Sequence, residues 1–377
     1  MARRWLWPLR GQPYFEGLAL AAGLSLSLGV LSLLMLGLGL LPGAWLRPVT
    51  VLPIPWLGLA VSAWLERSQW VDALRAGLPA EWRQHRRTYA LAWWLGLVGV
   101  GGLIVIAINA ISYPFYRSDL LNRYGPQARE LFSAGHVPQA MIGYPPGMPM
   151  LYAFAFFAAG AVNDHMAGMI IVAYAAAMLG AVWLVARLFA GQARLAVVFA
   201  LSAPLFVDWA TSGYVDVPEG VYRGLALAFA YFWLERGDKR FAILVGVMCG
   251  LALWMKQSSL ALLPSLAVMP VLRLWKTDRS NRARELGQTG LMAAALLAVA
   301  LPWYGRSFLL GGPGSLFVSA NPLDVQGADH SPSLLLVFWE RRNLWGWPLA
   351  LTVLPGLLIS VWLLIRRPQA SRSPSLN

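Results

Sequence analysis

Residues 89–112 read YALAWWLGLVGVGGLIVIAINAIS, and residues 113–152 continue YPFYRSDLLNRYGPQARELFSAGHVPQAMIGYPPGMPMLY. The first run carries no charged side chain and exceeds the ~20 apolar residues that a helix needs to cross ~30 Å of hydrocarbon. The second abruptly concentrates Asp119, Arg117, Arg123 and Arg129 with a Tyr144-Pro-Pro-Gly147 turn. A polar loop that opens directly from an apolar span sits at the water boundary of a membrane. Lipid leaves backbone groups no water to bond, so the spans around such a loop are helices.

The rest of the chain repeats the first half of that pattern. Of 377 residues, 58% are hydrophobic and 12% are charged, against about 25% charge in soluble domains. The mean hydropathy is +0.57. Apolar runs near 17–41, 49–65, 89–112, 166–188, 195–211, 219–235, 241–256, 258–274, 288–304 and 345–365 predict an all-α polytopic membrane protein of about ten transmembrane helices. Residues 148–162 are apolar but short. They are expected to form a re-entrant or outer-leaflet helix that returns to the same side, because a full crossing would flip every later basic cluster. The first run is too long for a removable signal peptide.

The net charge of +13 is made of short clusters between spans. It reflects topology rather than a nucleic-acid surface. With both termini in the cytoplasm, most of the 30 Lys and Arg fall on the inner side, as the positive-inside rule requires. The many Trp near span ends fit interfacial belts. The single cysteine, Cys249, lies in an apolar run and has no partner for an intrachain disulfide. Residues 1–88 read as two additional N-terminal helices with an inner loop, and 89–377 as the main membrane domain with its first outer loop at 113–147.

The outer face then gathers 113–147, the turn Thr211–Glu219, the hairpin at Met255–Ser259 and a long loop, 305–344. In the first loop, Ser118 is placed to cap a helix with apolar residues at helical spacing, and Gly125-Pro126 is expected to divide it into two interfacial pieces. Asp119 in its first turn either complements the helix dipole or acts as a base. Asp216 reads the same two ways, since capping charges and catalytic carboxylates share such positions. Glu219 and Arg223 stand at i and i+4 and can pair. Lys256, at a hairpin between two apolar runs, is a functional-site hypothesis because a membrane ammonium is expensive, with snorkelling to the headgroups as the rival reading. Arg306 follows Pro302-Trp-Tyr at a span end. His136, His165 and His330 have no metal-ligand spacing, and neither a Walker loop nor a GxSxG is present.

These residues carry a resemblance. Asp119 is followed by Tyr124…Ala128-Arg-Glu-Leu131…Gly135 and by Tyr144-Pro-Pro-Gly-Met-Pro-Met-Leu-Tyr152. Then come Val185-Ala-Arg-Leu-Phe189, Gly213-Tyr-Val-Asp216, Gly250-Leu-Ala-Leu-Trp-Met-Lys256 and Pro302-Trp-Tyr-Gly-Arg306. In this order they resemble the GT-C superfamily of membrane glycosyltransferases, in its bacterial protein mannosyltransferase-like and aminoarabinose-transferase-like branch. The resemblance implies a polyprenyl-phosphate-linked sugar donor, an extracytoplasmic site and an inverting transfer at the inner (plasma) membrane. It makes Asp119 and Asp216 the catalytic carboxylates and places Lys256, Arg306 and Arg123 on the donor phosphate. Tyr124, Tyr144 and Glu219 become substrate contacts. Leu120 stands where many relatives have a second acidic residue, so no metal ligand is assigned, although a divalent metal is left open as cofactor. The acceptor, whether glycan, lipid or protein, is unconstrained. Two rival functions share these features: a transporter or flippase of a lipid-linked sugar, and a non-catalytic assembly protein.

Overall fold

A computed structural model describes residues 5, 6, 9, 15–76, 90–189, 193–276 and 279–317. Among them every regular element is helical. The expected span at 345–365 and His330 lie outside the described residues. So does the segment 77–89, which contains the expected boundary after residue 88.

The helices are α1 (Phe15–Leu40), α2 (Pro53–Ala76), α3 (Ala90–Ser112), α4 (Gly125–Ala134), α5 (Gly147–Ala159) and α6 (Asp164–Phe189). They continue as α7 (Ala193–Leu201), α8 (Pro204–Ser212), α9 (Asp216–Arg236), α10 (Lys239–Met255), α11 (Leu262–Lys276) and α12 (Arg282–Gly311). Five helical stretches among the described residues are long and apolar enough to cross a membrane, or six if the bent pair α7–α8 counts as one span. The expected number of about ten is not reached by this measure. The chain is nevertheless a multi-pass membrane protein in composition and in helix length, with exposed apolar faces such as Trp56 and Trp64 on α2 and Val98 on α3.

The body is built on α6, α9, α10 and α12, with α10 lying between α9 and α12. The close contact of α10 and α12 is encoded by Gly246 and Gly250, spaced one turn apart. A Cβ at Gly246 would stand 2.1 Å from the carbonyl oxygen of Met292, and one at Gly250 would stand 2.6 Å from Val299. Small residues at this spacing let membrane helices approach where lipid offers no hydrophobic drive. Inside the body, polar groups are paired. Tyr222 donates to the Ser25 carbonyl at 2.6 Å, leaving Tyr174 to donate to the Tyr222 hydroxyl at 2.9 Å. Trp254 Nε1 donates to Ser32 Oγ at 2.8 Å. Helix α1 is thus tied to α6, α9 and α10 and shares their hydrophobic cluster.

Two elements depart from simple spans. Residues 195–211 were expected as one helix, but α7 and α8 meet at 71°. Pro204 at the start of α8 lacks the N–H to continue the ladder and bars the preceding residue from helical geometry. Helix α5 has 13 residues, about 20 Å at 1.5 Å per residue, which falls short of the hydrocarbon thickness. Its first residue, Gly147, packs on the end of α10, where a Cβ would lie 2.5 Å from the Trp254 carbonyl oxygen. Beyond its other end, Asp164 pairs with Arg129 of α4 at 3.2 Å, and His165 bonds the Ile111 carbonyl at the end of α3. Both ends of α5 therefore adjoin elements that border the first loop.

Candidate functional site

The first loop is shaped by a π-helical turn at Leu120–Tyr124 that runs directly into α4. The expected division at Gly125-Pro126 does not occur. Pro126 stands at the start of α4, where its missing N–H removes a bond the helix would otherwise make. The Gly125 amide reaches instead to the Leu120 carbonyl, and the wider i→i+5 turn absorbs the proline. Such turns recur at functional sites. Here the turn holds Tyr124 buried while Asp119, at its start, makes no capping hydrogen bond. Among the described residues the half-buried Asp119 carboxylate has neither a hydrogen bond nor an ion pair.

Tyr124 reaches Tyr144, hydroxyl to hydroxyl, at 2.9 Å, with ring centroids 5.7 Å apart. The Arg123 guanidinium lies over the Tyr144 ring, 4.6 Å from its centroid, where cation–π attraction holds it. Burial pushes the Tyr124 phenol well above its ordinary pKa, reinforced by Tyr144 and by the negative charges of Asp119 and Asp216. Burial likewise raises Tyr144, opposed by its bond to Tyr124 and by the Lys256 and Arg123 charges. Both hydroxyls remain neutral donors at physiological pH. The same couplings show that Asp119, Asp216, Arg123 and Lys256 all lie within electrostatic reach of this tyrosine pair.

The opposite wall comes from α9 and the α10–α11 hairpin. Asp216 begins α9 and accepts from Lys256 Nζ at 2.7 Å. Both side chains keep about a quarter of their surface exposed (22% and 25%). Lys256 stands at the end of α10 in extended conformation, φ −153° and ψ 136°, which aims it away from the helix axis. Burial pulls the Lys256 ammonium down, but the hydrogen bond and charge of Asp216 more than offset this and leave its pKa above the usual lysine value. Lysine has three donors, so two remain for a further anion.

Glu219 sits one turn beyond Asp216 but does not open into this space. It is 5% exposed, accepts from Ser258 at 2.6 Å and Ser259 at 2.8 Å, and pairs with Arg223. It fastens the hairpin that presents Lys256. Arg306 is likewise engaged by other groups. It belongs to α12, which continues to Gly311, past residue 305 where an outer loop was expected to begin. Its two terminal nitrogens donate to the carbonyls of Met141 and Pro138. Beside it, Trp303 Nε1 donates to the Gly143 carbonyl at 2.9 Å, and the Gly143 amide donates to Ser307 at 3.1 Å. One face of α12 thus holds down the loop immediately before Tyr144.

Nothing in the residue pattern points to the pairing of Arg117 with Asp208, which ties the start of the first loop to α8. Asp208 lies in an apolar run, and such a charge needs a partner; its identity depends on the bend at Pro204. Among the described residues, no three His, Cys, Asp or Glu side chains are grouped to hold a metal ion.

The family model described as Dolichyl-phosphate-mannose-protein mannosyltransferase matches residues 144–304. Comparison with curated proteins and with solved structures gives no significant match. The matched segment contains Tyr144, Asp216, Glu219 and Lys256, whereas Asp119, Arg123 and Tyr124 precede it and Arg306 follows it. Over residues 144–304, less than half of its length, the chain is thus similar to a mannosyltransferase-like family of membrane glycosyltransferases, in line with the resemblance that the order of its motifs carries.

Proposed function

We propose that this protein transfers a sugar from a polyprenyl-phosphate donor to an acceptor hydroxyl at the extracytoplasmic face of the plasma membrane, with inversion at the anomeric carbon. The observation that carries this reading is the Asp119 carboxylate, unpaired among the described residues and within electrostatic reach of the Tyr124–Tyr144 pair, as is the Asp216–Lys256 ion pair. A general base needs a carboxylate free to accept a proton. Asp119 takes the proton of the acceptor hydroxyl as its oxygen bonds to the anomeric carbon. The bond from that carbon to the phosphate oxygen breaks, and its electron pair leaves with the phosphate.

The charge then developing on the phosphate meets Lys256, which has two donors left, and Arg123, whose guanidinium has no hydrogen-bond partner among the described residues. Preorganised donors aimed at a developing charge are a large source of rate enhancement. Asp216 holds the Lys256 ammonium in place, and the Tyr124 and Tyr144 hydroxyls orient the sugar. Glu219 and Arg306 support this arrangement from behind, through the hairpin and the 138–143 loop. The acceptor is a hydroxyl of a glycan, lipid or protein.

The test is sugar transfer by the purified, detergent-solubilised protein from a panel of polyprenyl-phosphate sugars, with the product's anomeric configuration read by NMR. Transfer with inverted configuration is expected. Retained configuration would overturn the single-displacement chemistry. Donor binding without transfer to any acceptor would favour a carrier of lipid-linked sugar instead.

A further inference from the structure

The end of α9 remote from this site borders a pocket. Helix α9 has 21 residues, about 30 Å of axial length, which matches the hydrocarbon thickness. Asp216 at its start and Arg236 at its end therefore stand at opposite ends of the helix, and Arg236 adjoins the start of α12, a stretch long and apolar enough to cross a membrane. Around that far end, a cavity of about 620 Å³ is lined by Arg236, Gly237, Asp238, Lys239 of the α9–α10 turn and by Arg284, Gly287, Gln288 and Leu291 of α12.

Three properties distinguish this cavity from a patch of topogenic charge. Its floor is fixed: Gln288 accepts from Trp233 Nε1 at 2.6 Å and donates to the Gly237 carbonyl at 3.0 Å. Arg273 and Glu285 close the same network behind it. Its rim is cationic. Lys239 has neither a hydrogen bond nor an ion pair among the described residues, and Arg284 reaches only the Gly237 carbonyl, at 3.5 Å. The one acidic lining residue, Asp238, caps α10 by accepting from the Arg240 amide at 2.9 Å. Third, the pocket is graded along the membrane normal. Arg284, Gly287, Gln288 and Leu291 share one face of α12, and the seven steps from Arg284 to Leu291 advance about 10 Å along it toward its apolar middle. Leu291 is 42% exposed, and a Cβ at Gly287 would meet nothing within 4 Å.

From this we infer that the pocket between the α9–α10 turn and α12 binds the phosphate headgroup of an anionic membrane phospholipid, with its acyl chain along Leu291. Basic pockets between membrane helices serve this role on the cytoplasmic side. A free phosphate would use the cations but not the apolar end, whereas a lipid uses both. The inference does not depend on the transfer reaction at the other face.

Native mass spectrometry of the full-length protein tests it, with phosphatidylglycerol against phosphatidylcholine of the same acyl chains. Preferential retention of phosphatidylglycerol is expected, weakened about thirtyfold in the Lys239→Gln/Arg284→Gln double variant. Gly287→Leu fills the cavity without altering charge and should weaken retention as well. The control, Arg279→Gln/Arg282→Gln, removes the same charge from the neighbouring surface and should leave retention unchanged. Equal loss in the control, or undiminished retention in Gly287→Leu, would overturn the pocket. Equal retention of phosphatidylcholine would do the same. Competition by millimolar inorganic phosphate, without preference for the lipid, would assign the site to free phosphate and overturn the lipid reading.

Discussion

At the residue scale, the site separates groups that are already satisfied from groups that are not. Glu219 and Arg306 look in sequence as available as Asp119 and Lys256, because sequence shows a charge near a span end and not its partner. The fold gives Glu219 two serines and an arginine and gives Arg306 two carbonyls, while Asp119 has no partner among the described residues. The tyrosine pair carries a pH signature. Burial raises both phenols above their ordinary values, so the folded protein retains protons that the unfolded chain has lost above about pH 10. Their stabilising contribution is fully present below that pH and is lost as the pH rises further. The melting temperature should therefore fall from about pH 10 upward, and fall less in Tyr124→Phe, as followed by thermal unfolding in detergent. An identical alkaline slope in both proteins would place the effect elsewhere.

At the element scale, the spans were legible and the interruptions were not. Apolar runs marked α1, α3 and α6 because twenty consecutive apolar residues admit few other readings. The Pro204 bend, the π turn and the extent of α12 past Arg306 arise from local backbone bonding that hydropathy does not register. The Tyr-Pro-Pro-Gly turn was visible as a turn, but its anchor on α12, over 150 residues away, was not. Two outcomes test how this turn is held, one on α10 and one on α12. Gly147→Ala places a methyl against the Trp254 carbonyl at 2.5 Å, a backbone contact that cannot rotate away. It should cost about 1–3 kcal/mol and lower the melting temperature. Arg306→Ala frees the Pro138 and Met141 carbonyls, so amide exchange across residues 136–144 should accelerate, and transfer should fall with it. Unchanged exchange there would show that Arg306 does not hold the loop.

At the scale of the whole molecule, α9 and α10 link two chemically different ends. One end gathers a free carboxylate, an ion pair, an arginine and two neutral phenols at the start of α9. The other presents a cationic, lipid-facing pocket. Helix α1, read from sequence as an addition to the main domain, packs within the same hydrophobic cluster, because Ser25 and Ser32 supply the buried hydrogen-bond partners of Tyr222 and Trp254. The membrane class and the order of the motifs were readable from the chain alone. Which charges meet depended on helix contacts between residues far apart in sequence. The central claim is that Asp119 is the base of a sugar transfer, and the most direct test is the single-turnover rate of wild type against Asp119→Asn with a polyprenyl-phosphate sugar. The account predicts a loss of about 10²–10⁴-fold at an unchanged melting temperature. Equal rates in the two proteins would contradict it.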